Sequence, residues 1–336
     1  MHKKIDILNI GLVIASLIIA IMIPFKLFIF SYAILGPLHY LTEINWLKDK
    51  NYFVSSNSKW ITVFIVFALL VSVYPIYKII DYTVANSFME GVETVMKNTH
   101  VLLLTGFLFA IGLIVFRKRL HLIIILVGSF LLSLTLLYFL PTEVFFIGLF
   151  LPTIMHVYLF TLLFMVYGSA KSQSKFGFMA AGMLLLVPFV IMFMPVDPMT
   201  YMVDQQTATI YSHSGMLLVN ASITKMFGGL VDGQFNARTP IALKAQIFIA
   251  FAYTYHYLNW FSKTSIIGWK SALTKRKSAY IVIMWVAAVA LYTYDFYTGL
   301  IALYFLSMLH VFFEFPLNVI TIKELFKLRK SKPAAT

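Results

Sequence analysis

Residues 120–140 read LHLIIILVGSFLLSLTLLYFL, a run without a single Asp, Glu, Lys or Arg. A helix rises about 1.5 Å per residue, so a run of this length can cross the hydrocarbon core of a bilayer, which is about 30 Å thick. Three basic residues, Arg117, Lys118 and Arg119, directly precede it. The stretch therefore predicts a transmembrane helix whose amino-terminal end faces the cytoplasm.

The composition extends this prediction to the whole chain of 336 residues. Hydrophobic residues make up 61% of the chain and charged residues 12%, and the mean hydropathy is +0.88. Ordinary soluble domains are far less apolar. We therefore expect a single integral membrane domain over residues 1–336. The net charge of +13 reflects basic residues at the ends of the spans, so we expect membrane lipids and no nucleic acid as partners.

Ten apolar stretches of helical length follow one another along the chain. They cover residues 7–24, 26–46, 60–79, 100–116, 120–140, 144–168, 176–195, 241–262, 279–297 and 299–320. The predicted fold is an all-α, polytopic transmembrane helical bundle of about ten spans. The count falls to nine if the first two stretches form one tilted helix instead of separating at Pro24–Lys26.

The charged residues orient this bundle. Basic residues recur in alternate connections, such as 117–119 and 263–277, while Glu143 and the segment 196–240 lie in the opposite set. Because basic loops stay in the cytoplasm, both termini are predicted to be cytoplasmic. Residues 321–336 would form a basic cytoplasmic tail, and 196–240 a long loop on the outer face. Within that loop, Asn220-Ala-Ser222 matches a glycosylation sequon, a match that is frequent by chance.

Four histidines lie inside the apolar stretches, namely His39, His156, His256 and His310. In the predicted topology they share one half of the membrane, roughly 9 to 18 Å from the inner ends of their spans. Ionisable residues within a span are costly and usually mark a function. Because cysteine is absent, a metal here must use nitrogen and oxygen ligands. The four residues are thus candidate metal ligands, although a single such histidine more often only hydrogen-bonds between helices.

Two of these histidines precede a carboxylate by one helical turn. Glu43 follows His39, and Glu314 follows His310, each at a spacing of four residues, which places each pair on one helix face. The glutamates are candidate catalytic groups, either as further ligands or by fixing the tautomer of a ligating histidine. Asn259, three residues after His256, is a candidate for supporting that histidine.

The order of these motifs resembles that of the bacterial and archaeal membrane-bound beta-carotene 15,15'-dioxygenases of the Brp/Blh type. The matching positions are His39 with Glu43 in GPLHYLTE, His156, His256 in YHYLNW, and His310 in LHVFFE. The resemblance implies membrane-embedded histidines that bind non-heme iron, in an enzyme of the bacterial inner (cytoplasmic) membrane that cleaves beta-carotene to retinal with dioxygen. The chain departs from the family pattern at Trp260, where the family has a second histidine, in an extra amino-terminal span, and in the segment 196–240.

The sequence thus favours a metal-dependent oxidoreductase, oxygenase or dioxygenase-like, that acts on an apolar, lipid-like small molecule such as a carotenoid. Iron(II) suits histidines and carboxylates with open positions, with zinc or copper as other candidate metals. A proton- or cation-coupled transporter would use the same buried residues without a stable metal. A structural or assembly role in the membrane is the third reading. No nucleotide-binding loop, His-Glu-x-x-His or Gly-x-Ser-x-Gly motif is present, so the chemistry of those motifs has no support.

Overall fold

The computed structural model describes residues 2–50, 60–80, 99–116, 118–264 and 273–330. Within these ranges the regular elements are helical, apart from one isolated bridge between Val231 and Gln234, which confirms the all-α prediction. The helices, in chain order, are α1 (His2–Met22), α2 (Pro24–Phe30), α3 (Gly36–Lys50), α4 (Trp60–Ile80), α5 (Thr99–Val115), α6 (Arg119–Phe139), α7 (Pro141–Phe150), α8 (Thr161–Ser172), α9 (Lys175–Phe193), α10 (Gln205–Ser214), α11 (Leu217–Met226), α12 (Pro240–Ser262), α13 (Lys275–Tyr294) and α14 (Phe296–Lys330).

Short non-α helices join some of these elements. A π-helical segment, Ser31–Leu35, connects α2 to α3, and a longer one, Leu151–Phe160, connects α7 to α8. The helical structure is interrupted at Ile23, between α1 and α2. Pro24 is the first residue of α2, a position where proline is well tolerated because its amide needs no intrahelical acceptor. The two predicted stretches therefore form separate helical segments, and their crossing of the membrane as two spans stays a prediction.

Seven of the described helical stretches are long and apolar enough to cross a membrane, and two shorter apolar helices accompany them. Two of the seven bury little of their surface. Only 17% of the most apolar stretch of α6 and 11% of that of α13 are buried within the protein. Large exposed apolar surfaces of this kind require a nonaqueous environment. The helices thus indicate a membrane protein.

The predicted topology rests partly on segments outside the described residues. These are 1, 51–59, 81–98, 117, 265–272 and 331–336, which contain several of the charged residues that orient the bundle. The positions of the termini relative to the membrane remain a prediction, as does the number of spans. Residues 321–330 of the predicted basic tail are described, and they continue α14 as far as Lys330.

The chain divides into two units. The first comprises residues 1–39 and 153–297, and the second residues 40–152 and 298–336. In the first unit α12 is the central helix, because α1, α2, α9 and α11 all pack against it. Its buried residues include polar ones such as Gln246, Thr254 and His256. A helix surrounded by other helices does not need an apolar face toward lipid.

Side-chain hydrogen bonds tie α12 to its neighbours in the first unit. Tyr255 donates its hydroxyl proton to Asn9 Oδ1 on α1 at 3.3 Å, and Asn9 Nδ2 donates to Ser262 Oγ at 3.0 Å. The hydroxyls of Ser31 and Thr254 are 2.7 Å apart. These contacts satisfy buried polar groups and fix the rotation of α12, which determines where His256 points.

The segment 196–240 contains α10 and α11 and is held against α12. Asn220, in α11, is fully buried and donates through Nδ2 to the carbonyl of Ala242 at 3.0 Å and to Gln246 Oε1 at 3.1 Å. Both hydrogens of its amide group are therefore engaged inside the protein. The sequon at Asn220 is a packing position, because a glycan acceptor must lie at an accessible surface.

The second unit has an aromatic core around α14. The ring of Phe312 lies 5.4 Å from that of Phe107 on α5 and 6.0 Å from that of Phe64 on α4, measured between centroids. Gly106, next to Phe107, permits this approach, because a Cβ there would lie only 2.4 Å from Phe312 Cε1. The close packing of α5 against α14 therefore depends on a glycine.

A buried histidine group as a candidate metal centre

Three of the four predicted histidines come together in the first unit. His39, His156 and His256 each offer one ring nitrogen, and these atoms all lie within 4.8 Å of one another. The side chains are 1%, 2% and 6% exposed, respectively. Three imidazoles in such a cluster could hold a metal ion, because neutral imidazole is the commonest nitrogen ligand in proteins.

His39 and His256 form the closest pair of the group. Their Nε2 atoms are 3.0 Å apart, and their ring planes lie at 76° with centroids 4.6 Å apart. Two nitrogens bound to one metal at about 2.1 Å and at right angles are separated by about 3.0 Å. The same distance suits a hydrogen bond in which one nitrogen donates to the other. The pair is thus compatible with metal ligation or with proton exchange between the two rings.

The second nitrogen of His256 has its own partner. Thr161 Oγ1, at the start of α8, lies 2.8 Å from His256 Nδ1. If Nδ1 carries the proton and donates to Thr161, then Nε2 is left deprotonated and can bind a metal. Contacts of this kind orient a ligating histidine and fix its tautomer. The donor set and its support therefore fit a metal ion bound through His256 Nε2.

The backbone that places these histidines is unusual. His156 lies inside the ten-residue π-helical segment Leu151–Phe160, and His39 lies one turn after the π-helical segment Ser31–Leu35. π-helical turns are uncommon and occur frequently at functional sites. Pro152 lies in the first segment and Pro37 just beyond the second. Since a proline removes one helical hydrogen bond and crowds the preceding turn, these residues give a physical reason for the wider helices.

Aromatic side chains, most of them on α12, pack around His39 and His256 of the histidine group. The ring of Tyr257 lies 5.1 Å from that of His39 and 5.4 Å from that of His256, and the indole of Trp260 lies 5.5 Å from His39. The row continues from Tyr257 to Tyr253 and then to Phe28 on α2, at centroid distances of 6.2 and 4.9 Å. These rings give the group an apolar environment, which strengthens electrostatic interactions there.

The fourth predicted histidine and both predicted glutamates lie in the second unit. His310, Glu43 and Glu314 are 4%, 2% and 3% exposed. The ring of Tyr40 stacks on that of His310 with centroids 5.2 Å apart. The buried side chains of Glu43 and Glu314 interact with each other.

Asn259 lies one turn after His256 on α12 and is 7% exposed. Its backbone carbonyl accepts a hydrogen bond from Ser262 Oγ at 2.7 Å. In the described part of the chain, no hydrogen bond joins its side chain to a histidine of the group. Its supporting role stays a prediction.

Three histidines that were not predicted as metal ligands, His100, His121 and His213, lie away from the histidine group. His100 packs edge-on against Phe145 in the second unit, with ring centroids 5.2 Å apart. His121 and His213 are exposed. Neither of the exposed residues belongs to the histidine group, so His213, at the end of α10, can serve as a control in experiments.

Thr161 was not among the predicted residues. It is five residues after His156, a spacing that does not share a face in an α-helix. The intervening segment is π-helical, with hydrogen bonds between residues five apart, and both side chains contact the ring of His256. A proline near a buried histidine is the one sequence signal that could have indicated this change of register.

Comparison with known proteins found no match. No family model matches the chain, and no curated protein or solved structure matches it.

Proposed function

We propose that this protein is a multi-pass protein of the bacterial inner membrane and a metal-dependent oxidoreductase that acts on an apolar, lipid-like substrate. The observation that supports the proposal is the buried convergence of His39, His156 and His256. His310 would be a further ligand, and Glu43 and Glu314 further ligands or orienting groups. Carotenoid cleavage is the specific reaction that the family resemblance suggests.

The proposed metal is non-heme iron, with zinc or copper as the other candidates. Sites made of imidazoles, with positions left open, suit iron(II) in oxygenases, whereas closed tetrahedral sites are typical of structural zinc. A bound iron would supply the redox chemistry that dioxygen requires. In this proposal His39, His156 and His256 hold it through ring nitrogens.

The residues around the group would orient the ligands and exclude water. With the proton of His256 on Nδ1, Thr161 Oγ1 would accept a hydrogen bond from it and would hold the ring in the ligating tautomer. Tyr257 and Trp260 pack against His39 and would offer ring faces to an apolar substrate. Because the three histidines are buried, a substrate that partitions into the bilayer is favoured over a polar one.

The test is an activity assay with the purified full chain. The protein is prepared without oxygen, loaded with iron(II) and supplied with beta-carotene or a lipid extract, and then oxygen uptake and products are measured. We expect oxygen uptake that depends on both iron and the apolar substrate and that His256→Ala abolishes but His213→Ala leaves unchanged. Equal oxygen uptake by all three proteins, or none with any apolar substrate, would overturn the proposal.

A proton- or cation-coupled transporter is the second candidate, and two contacts favour it. Thr161, His256 and His39 form a continuous chain of hydrogen-bonding atoms with separations of 2.8 and 3.0 Å. In the second unit, the side chains of Glu43 and Glu314 are buried and interact with each other. Chains and pairs of this kind occur in proton paths through membranes. Substrate uptake by proteoliposomes that requires a pH gradient, from protein that retains no metal, would favour this function over the oxidoreductase.

A further inference from the structure

The first unit contains an apolar cleft that the histidine group does not use. The cleft lies between the start of α12 and the segment 198–212, and its volume is about 480 Å³. Its apolar lining includes Phe25, Met199, Met202, Tyr211, Leu217 and Leu243. Cavities that bind small molecules span roughly 300 to 1,000 Å³ and are mostly apolar with a few polar groups. The cleft is of that kind.

Hydrogen bonds hold the walls of the cleft in place. Tyr211 donates its hydroxyl proton to the carbonyl of Phe25 at 3.1 Å and accepts a hydrogen bond from Gln246 Nε2 at 2.7 Å. Asp204 caps α10 through the amide of Thr207 and forms an ion pair with Lys26 at 2.9 Å. A ligand would therefore enter a largely preformed site, which lowers the entropic cost of binding.

One charged side chain, Arg238, is found among the residues that line the cleft. It is exposed at the rim, and within the described part of the chain no carboxylate forms an ion pair with it. The neighbouring cation Lys26 is already paired with Asp204. A guanidinium group of this kind offers two parallel donors that match the geometry of a carboxylate.

Two methionines give the cleft an adaptable apolar edge. Met199 and Met202 are 80% and 95% exposed, so both side chains are accessible to a ligand at the edge of the cleft. Methionine is flexible and polarisable, and it is common at surfaces that accept apolar ligands of varied shape. An unbranched hydrocarbon chain is a ligand of this type.

We propose that the cleft binds a single-chain amphiphile, a long-chain fatty carboxylate, whose head group pairs with Arg238 while its chain lies against Phe25, Leu217 and Leu243. The volume favours one hydrocarbon chain over the two chains of a phospholipid, and the single rim cation matches a single negative charge. This site goes beyond the proposed metal function and does not require a metal.

Binding of radiolabelled oleate to the full chain in phosphatidylcholine nanodiscs tests the proposal, with empty nanodiscs as the background. We expect saturable binding of one oleate per chain, weakened about tenfold or more by Arg238→Gln because a charged hydrogen-bonded pair is lost. Uncharged oleyl alcohol should bind wild type and Arg238→Gln equally. Ala208→Trp, which places an indole at the wall of the cleft, should weaken both ligands. Arg276→Gln, on the exposed surface of α13, is the matched control and should bind oleate like wild type.

Two results would overturn the proposal. The first is oleate binding that does not saturate, or that is the same in wild type, Arg238→Gln and Ala208→Trp. The second is retention of phosphatidylglycerol by the purified protein, lost in Arg238→Gln, with no saturable oleate binding, which would make a phospholipid the occupant. Because none of these measurements involves metal, failure here would leave the proposed oxidoreductase function unaffected.

Discussion

His256 has a different neighbour at each of its ring nitrogens, with Thr161 at Nδ1 and His39 at Nε2. The sequence predicted His39, His156 and His256 as candidate ligands because polar residues in apolar helices are rare. It could not predict Thr161, because hydroxyl residues in such helices usually bond to their own backbone, as Thr105 does. A contact between residues 95 positions apart becomes visible only once α8 and α12 are packed together.

Replacement of Thr161 by Val tests whether this hydroxyl supports a metal ligand. Loss of the hydrogen bond to His256 Nδ1 should weaken metal binding by about 10- to 100-fold, as is usual when a supporting contact to a ligand is removed. The measurement is competition with a chelator of known affinity. Thr135→Val, on the exposed surface of α6 where the hydroxyl bonds only to its own helix, is the control. Equal affinity in both variants would show that Thr161 does not act on a ligand.

The partners of Glu43 show what spacing along the sequence can predict and what it cannot. The four-residue spacing of His39 and Glu43 predicted that the two would act together, and each does offer a possible ligand atom within 4.8 Å of the other. The structure gives Glu43 a carboxyl partner, Glu314, which lies 271 positions away. Spacing along one helix predicts a shared face, but it says nothing about which residue on another helix completes the pair.

The positions of the helices followed from the sequence more closely than their ends. Each of the ten predicted stretches overlaps an observed helix, because long apolar runs with charged or proline-containing ends allow few other structures. The last helix, α14, continues ten residues beyond the predicted end at 320. The π-helical segments Ser31–Leu35 and Leu151–Phe160 were not predicted, since apolar periodicity distinguishes helix from strand but not one helix type from another. The segment 196–240 also contains two helices of ten residues, α10 and α11.

Packing between α5 and α14 gives a prediction at the element scale. Gly106→Ala would place a Cβ 2.4 Å from Phe312 Cε1, and the resulting overpacking should lower the free energy of unfolding by about 1 to 3 kcal/mol. Gly128, on the exposed surface of α6, has no atom within 4 Å of the corresponding position. Gly128→Ala should raise the free energy of unfolding by up to about 1 kcal/mol, because alanine favours helix.

Thermal unfolding of the two variants in detergent measures this difference. Gly128→Ala is the control. It makes the same substitution in another apolar helix, so the general effect of replacing glycine by alanine on the unfolding temperature is the same in both variants. Equal changes in the unfolding temperature for Gly106→Ala and Gly128→Ala would show that the ring of Phe312 moves away without cost. The packing described for the second unit would then be looser than these contacts indicate.

At the scale of the whole molecule, the absence of cysteine makes the predicted orientation easy to test. The chain contains no Cys, so a single introduced cysteine is the only thiol. Gln173 lies in an exposed turn between α8 and α9, in a connection predicted to be cytoplasmic, and Gln206 lies on exposed α10, in the segment predicted to be outside. Both side chains are polar and accessible, so substitution there should not disturb the fold.

A membrane-impermeant maleimide applied to intact cells should label Gln206→Cys and leave Gln173→Cys unlabelled. After the cells are opened, both should react, because both positions are exposed. The reverse pattern would invert the orientation inferred from the basic connections. Labelling of both positions in intact cells would contradict their placement on opposite faces.

The most direct measurement is the metal content of the purified full chain, for wild type beside His39→Ala, His156→Ala and His213→Ala. If His39 and His156 are ligands, then wild type and His213→Ala should carry nearly one metal per chain, and the other two variants should lose it while remaining folded and in the membrane. Adding His310→Ala decides whether the fourth predicted histidine belongs to the same site. No metal in wild type, or equal metal in all variants, would contradict the metal centre and favour the proton-path function.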